Sequence, residues 1–179
     1  MSHPRKPSPC KLFFTVIFPR MVNPESLRRD LVGVTRREVE STSPLFPFDV
    51  TDYYAREMGH DLVRIFYVMK GTFERDCLVE AKKNAYSLER KYQDGEGRRV
   101  FNIDPGLVTL ENVVLSTFKN YYHRIYLGEG VYAEVTLAYI KGEMREFEWT
   151  YPDYRRDEMK EFLLSVREGL YQEIRGRKR

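Results

Sequence analysis

The sequence predicts an α+β protein with a ferredoxin-like βαββαβ core, extended by an antiparallel β-meander and closed by a C-terminal helix. Three observations carry this. Short β-branched and aromatic runs alternate with two segments of helical periodicity over the first 103 residues. Four further β-rich runs then follow one another between residues 113 and 149, separated only by turn signals. One long amphipathic stretch, 157–174, comes after them. Runs in this order fit two helices against one face of an antiparallel sheet.

Residues 11–18 (KLFFTVIF) are β-branched and aromatic and are closed by Pro19, as in a strand buried on both faces. Asn23-Pro24-Glu25 then supplies a cap, a first-turn proline and an early acid, and Leu27, Leu31 and Val34 follow at helical spacing. Residues 38–48 are extended but interrupted by Pro44 and Pro47, which suits a sheet edge or a loop running along the sheet. A short helix is expected over 52–58, stopped by Gly59. After a strand over 62–73, residues 75–92 carry one apolar stripe of Leu78, Ala81, Ala85, Leu88 and Tyr92, with Glu80, Lys82, Lys83, Glu89 and Arg90 mostly off it. Residues 99–103 are extended and are expected to stop at a turn, Asp104-Pro105-Gly106, whose glycine takes a positive φ.

The meander comprises 113–118, 122–127, 131–140 and 144–149. Apolar residues must share a face, which favours a three-residue loop Gly128-Glu129-Gly130 with Leu127 opposite Val131, Ile125 opposite Ala133 and His123 opposite Val135. Tyr126 then faces Tyr132, Arg124 faces Glu134 and Tyr122 faces Thr136 on the other side. The same test predicts a three-residue loop 141–143 that sets Leu137 against Phe147 and Val135 against Trp149.

The 179 residues suit a single domain, with 1–10 and 175–179 read as flexible tails. Seven of the 30 basic residues lie at the ends, whereas all 27 acidic residues lie between Glu25 and Glu173, so residues 12–174 are net acidic by four. That distribution disfavours a domain that coats nucleic acid, although the basic ends could touch a polyanion. The longest uncharged apolar run, 12–18, is far too short to span a bilayer, and no signal-peptide pattern precedes it; a cytoplasmic location is expected. Cys10 and Cys77 have no metal or redox spacing.

Phosphate-loop, dinucleotide, zincin and serine-hydrolase motifs are all absent. Three polar, tyrosine-rich stretches remain. The first, 48–59, sets Asp49, Asp52 and Glu57 beside Tyr53 and Tyr54, and carboxylates so spaced could hold a hard cation such as Mg²⁺ or simply cap a helix. The second joins Asn102 and Asp104 to Ser116, Lys119, His123, Arg124 and Tyr126, with Glu134 across the hairpin. Here Arg124 and Lys119 suit an anion, His123 suits a proton exchanged near neutral pH, and Asp52, Glu57 and Asp104 are candidate bases. Ser116, Tyr53, Tyr126 and Glu134 are candidate ligand contacts. A hydrogen-bonded core histidine and a structural Arg124–Glu134 pair are the competing readings. The third stretch, 149–155, also fits a packed turn.

The segments FPFDVTDYYAREMG (46–59), NIDPG (102–106), VLSTFKNYYHRIYLGEGVYAEVTL (114–137) and WTYPDYR (149–155) resemble an uncharacterised prokaryotic family, domain of unknown function 4416. The likeness runs from the first strand to the closing helix and implies no activity, substrate or catalytic residue. The expectation is therefore a cleft that binds a small anionic ligand, phosphate-bearing or a nucleotide, with or without catalysis. The alternative is a non-catalytic RNA- or protein-binding module using Tyr122, Tyr126, Tyr132 and the basic ends.

Overall fold

The computed structural model describes residues 3–51 and 53–177. In chain order it holds β1 (Lys11–Pro19), α1 (Glu25–Thr35), β2 (Val39–Thr42), β3 (Phe46–Pro47), α2 (Ala55–Met58), β4 (Leu62–Met69), α3 (Leu78–Lys91), β5 (Asn102–Val108), β6 (Asn112–Thr117), β7 (Ile125–Gly128), β8 (Val131–Ile140), β9 (Glu143–Glu146) and α4 (Asp157–Gly176). A 3-10 turn, Arg75–Cys77, leads into α3, and another, Pro152–Arg155, precedes α4. The nine strands form one antiparallel sheet in the order β2-β4-β1-β5-β6-β8-β7, with β3 on β4 and β9 on β8. The protein is thus a mixed helix and strand fold built on one large antiparallel sheet. Among the described residues no helix is long and apolar enough to cross a membrane.

β1 lies mid-sheet and is buried on both faces, as its unbroken apolar run requires. Leu12, Phe14, Val16 and Phe18 pack with Leu27 and Leu31 of α1 and Leu78, Ala81, Ala85 and Leu88 of α3. Phe13 faces the other way, into a cluster with Phe66, Val108, Leu137 and Met159, Leu163 and Val166 of α4. Each such side chain contributes about 1.5–3 kcal/mol by leaving water. Lys11, 1% exposed, is held by Glu40 at 2.6 Å and by Glu173 of α4. Cys10, expected in a flexible N-terminal tail, is instead fully buried and bridged to Phe73, and α4 continues two residues past Ile174.

Asp104-Pro105-Gly106 does not make the expected turn. It lies inside β5, paired along its length with β1, and Gly106 opposes Phe13 and Leu115 with no positive φ. The glycine is required by close approach: a Cβ there would stand 2.3 Å from Phe13 Cζ and 2.7 Å from the Val114 carbonyl oxygen. The two meander turns are also shorter than expected. Gly128 pairs with Val131 and Ile140 with Glu143, leaving two-residue turns, Glu129-Gly130 and Lys141-Gly142, with all four residues at positive φ. Ile125–Ala133 and Tyr126–Tyr132 still pair because an irregularity at Leu127 restores the register, but Leu137 opposes Glu146 rather than Phe147. β7 begins only at Ile125, so Tyr122 and His123 sit in the preceding turn.

Two of the sheet's irregularities bear on the site, one in β5 and one in β8. β5 and β6 pair only from Gly106–Leu115 to Val108–Val113. Pro105 has no N–H to extend the ladder, and its carbonyl instead accepts the Ser116 hydroxyl at 2.9 Å. In β8 a bulge at Thr136 lets Val113 face Leu137 while Val114 faces Val135. The bulged backbone receives the 147–151 turn: Trp149 Nε1 donates to the Val135 carbonyl at 2.9 Å and Thr150 Oγ1 to that of Thr136 at 2.6 Å. Replacing Gly106 by Ala is expected to cost about 2 kcal/mol or more, through the clash with Phe13 and Val114. Denaturant unfolding of the Gly106→Ala variant checks this, and an unchanged midpoint would refute the need for close approach.

Candidate functional site

Where β5 and β6 part, the exposed edge of β5 is completed by side chains from α3. Glu89 Oε1 accepts the Ile103 N–H at 2.6 Å, and Lys82 Nζ donates to the Ile103 carbonyl at 3.2 Å and to Asp104 Oδ1 at 2.7 Å. Asn102 Nδ2 donates to Asp104 Oδ2 at 2.9 Å. Lys82, Tyr86 and Glu89 form a row of spacing 4 and 3, one residue round the helix from the apolar row Ala81, Ala85 and Leu88. Lys82 and Glu89 are accordingly buried, not solvated.

The split opens into a cleft of two adjoining chambers, of about 230 and 420 Å³. Tyr53, Tyr54, Asp104, Leu115, Lys119 and Tyr151 border both. The smaller chamber adds Lys82, Glu89, Arg99 and Glu134 as charged groups and Tyr86 and Phe118 as aromatic walls, these two packed edge to face at 5.6 Å. The larger adds Phe48, Arg64, Asp153 and Tyr154. On its floor the buried Arg64 guanidinium lies between the Phe48 and Tyr154 rings, 2.6 Å from Asp153 and donating to Thr15 Oγ1 at 2.7 Å.

Charge in the cleft is organised in pairs. Arg99 grips Glu57 with Nε at 2.9 Å and Nη2 at 2.6 Å, which holds the Glu57 carboxyl below its ordinary range. Burial alone would raise Asp104, but the Lys82 ammonium and the bonds from Lys82 and Asn102 outweigh it and keep Asp104 low. Glu89 goes the other way. Burial pushes its carboxyl up to about 7, against the pull of Lys82 and the Ile103 N–H. At the rim, Lys119 Nζ lies 4.5 Å from the Tyr53 ring centroid and donates to its hydroxyl at 3.0 Å, drawing that phenol below its usual value.

Glu134, on β8 opposite Leu115, is 3% exposed. Its Oε2 accepts Arg124 Nε at 2.7 Å and lies 3.0 Å from His123 Nε2. A hydrogen on His123 Nε2 would place a second donor on the oxygen that already accepts from Arg124. Arg124 is further fixed by the Lys119 carbonyl and the Tyr151 hydroxyl, both at 2.9 Å. His123 is stacked on Trp149 at 5.0 Å, and Trp149 on Phe147 at 4.9 Å. Glu134 Oε1 and His123 Nδ1 are buried with no partner among the described residues.

Of the residues singled out from sequence, Tyr53, Asp104, Ser116, Lys119 and Glu134 line the cleft. Glu57 flanks it through Arg99, while His123 and Arg124 stand behind Glu134 and are not in its lining. Tyr126 is 58% exposed on the outer hairpin, packed against Tyr132 at 5.2 Å, and is not part of the cleft. Asp52 lies outside the described residues. Of the other two carboxylates in the proposed cation set, Asp49 pairs with Arg156 and Glu57 with Arg99, and among the described residues no three His, Cys, Asp or Glu side chains gather. Sequence reasoning missed Lys82, Glu89, Arg99, Arg64 and Tyr151. The row at 82, 86 and 89 is the signal that could have found the first two.

A carboxyl whose folded pKa lies above its unfolded value binds extra protons in the folded state. Glu89 thus supports folding fully below its ordinary 4.5 and ceases to do so as pH rises through about 7. Glu89→Gln keeps an acceptor for the Ile103 N–H and removes the titration. Between pH 5 and pH 8 the wild type should lose stability relative to this variant, on the order of 3 kcal/mol at most. Thermal melts across that window test it, and parallel profiles would disprove the assignment.

No curated protein and no solved structure matches the chain. One family model does, across residues 8–170, a span that takes in every strand, the split between β5 and β6 and both chambers of the cleft. The chain therefore belongs to the family described as a domain of unknown function, DUF4416.

Proposed function

We propose that the protein binds a small phosphate-bearing ligand, a nucleotide above all, in the cleft between β5 and β6. The observation that carries this reading is one chamber holding Lys82, Arg99 and Lys119 within walls of Tyr53, Tyr54, Tyr86 and Phe118. Rings of this kind suit the flat face of a base, and a lysine partnered by a neutral phenol suits a phosphate oxygen. Lys82 and Arg99 already neutralise Asp104 and Glu57, so Lys119 is the cation assigned to the anion. The same reading takes β1, α1, β2, β4, α3 and β5, with strand order β2-β4-β1-β5, as a ferredoxin-like unit to which β6–β9 and α4 are added, and places the protein in the cytoplasm.

Titrating the protein with AMP, GMP, CMP and UMP tests the proposal. At least one should raise the melting temperature in a concentration-dependent way. Lys119→Met should weaken that ligand about tenfold while leaving the unliganded melting temperature unchanged. No shift with any of the four at millimolar concentration would refute it.

A second reading is favoured by the outer hairpin, where Tyr122 is 75% and Ile125 70% exposed beside Tyr121 and Tyr126. Exposed rings at a sheet end can stack single-stranded bases. If so, the protein should be retained on single-stranded RNA at low salt, and Tyr122→Ala with Tyr126→Ala should abolish retention. Unchanged retention by the double variant would remove this reading.

A further inference from the structure

The chain has only two cysteines, Cys10 and Cys77, and the fold brings both to one place. Cys10 ends the N-terminal segment just before β1, and that segment is stitched to the residues leading into α3. Cys10 and Phe73 exchange two backbone hydrogen bonds of 2.9 Å, Arg75 Nε donates to the Ser8 carbonyl at 2.9 Å, and Lys6 pairs with Glu74 at 3.0 Å. The chain then folds back through the 3-10 turn Arg75–Cys77, which sets Cys77 at the amino end of α3. This reversal packs Cys77 against the apolar cluster that contains Cys10, and the two thiols lie within hydrogen-bonding reach of each other.

The two sulfurs differ in surroundings. Cys10 is fully buried, with its Sγ 3.3 Å from the Phe73 carbonyl, whereas Cys77 is half-buried and reached by solvent. The hydrogen bond from Cys10 holds the Cys77 thiol below its ordinary value, against desolvation and the nearby Asp76 and Glu80 carboxylates. The same bond, together with burial, pushes the Cys10 thiol up. A sulfur that solvent reaches and that ionises readily, next to a protonated one that solvent does not reach, is the arrangement of an attacking and a resolving cysteine.

We infer that Cys77 and Cys10 are a peroxide-reactive dithiol that closes to an intramolecular disulfide. The Cys77 thiolate attacks one oxygen of hydrogen peroxide: an S–O bond forms, the O–O bond breaks, and the departing hydroxide takes up the proton that the thiol gave up. Cys10 Sγ then attacks the sulfur of the resulting sulfenic acid: the S–S bond forms, the S–O bond breaks, and a second hydroxide leaves with the Cys10 proton. The sulfur pair loses two electrons and the peroxide is reduced to two waters. The new bond ties the start of β1 to the start of α3, the helix that carries Lys82, Tyr86 and Glu89 to the cleft. Cross-linking residues so far apart in sequence restricts the unfolded chain and so favours the folded one.

The test treats the reduced full-length protein with a few equivalents of hydrogen peroxide, digests it without reductant and maps the peptides by mass spectrometry. The expected product is a monomer in which the Cys10 and Cys77 peptides are linked, a link that dithiothreitol reverses. This form should melt at least about 5 °C above the reduced protein. Cys10→Ala should stop at a Cys77 sulfenic acid that dimedone traps, and in Cys77→Ala the buried Cys10 should stay unmodified at the same dose. The wild-type result needs neither variant to fold. Oxidation of Cys77 to a sulfinic acid without a link to Cys10, a link formed only between chains, or no loss of free thiol in the wild type would overturn the inference. A linked form that melts no higher than the reduced protein would overturn the tie between β1 and α3.

Discussion

Strand pairing between β5 and β6 fails at Pro105 for want of a single N–H, and the cleft is organised by that failure. An unpaired strand edge inside a sheet leaves strong donors and acceptors facing a cavity, and such groups need partners. Here they come from side chains: Glu89 and Lys82 of α3 bond Ile103, and Ser116 bonds Pro105. The consequence is that ionisable groups are carried to a place where an ordinary ladder would exclude them. Burial of Glu89, the Lys82–Asp104 pair and the opening between the strands all follow from the same break.

The remaining charges obey a second constraint. Arg64 with Asp153 and Arg124 with Glu134 are pairs of opposite sign in which at least one member is deeply placed, and Arg99 with Glu57 is a half-buried pair of the same kind. Such pairs stabilise little in net terms, because desolvation offsets the attraction, yet removing one partner is costly. Their effect is to hold polar groups in fixed directions. With its charges so paired, the cleft presents placed donors and acceptors and not a strong field.

Periodicity made much of the frame legible. The run 11–18, the stripe from Leu78 to Leu88 and the face of Met159, Leu163 and Val166 each mark an element by the burial that their spacing demands. Local turn chemistry misled at 104–106, where Pro and Gly resemble a corner but answer to long-range neighbours, the lost ladder on one side and the Phe13 ring on the other. The meander turns differ from expectation by one residue because Glu129 and Lys141 adopt left-handed backbone that their residue types do not announce. Tyr53, Asp104, Ser116, Lys119 and Glu134 could be found from polarity in aromatic stretches. Arg64 and Arg99 could not, since each is defined by a partner far away in sequence, Asp153 and Glu57.

The bulge at Thr136 has a spectroscopic corollary. By receiving the 147–151 turn it places Trp149, the one tryptophan of the chain, face to face with His123 and one hydrogen bond from the Glu134 carboxylate. Indole emission is sensitive to stacking and to neighbouring charge, and no second tryptophan contributes a background. The native protein therefore carries a single intrinsic fluorophore behind the Glu134 side of the cleft, and a rearrangement of His123 or Glu134 can be followed optically without a label.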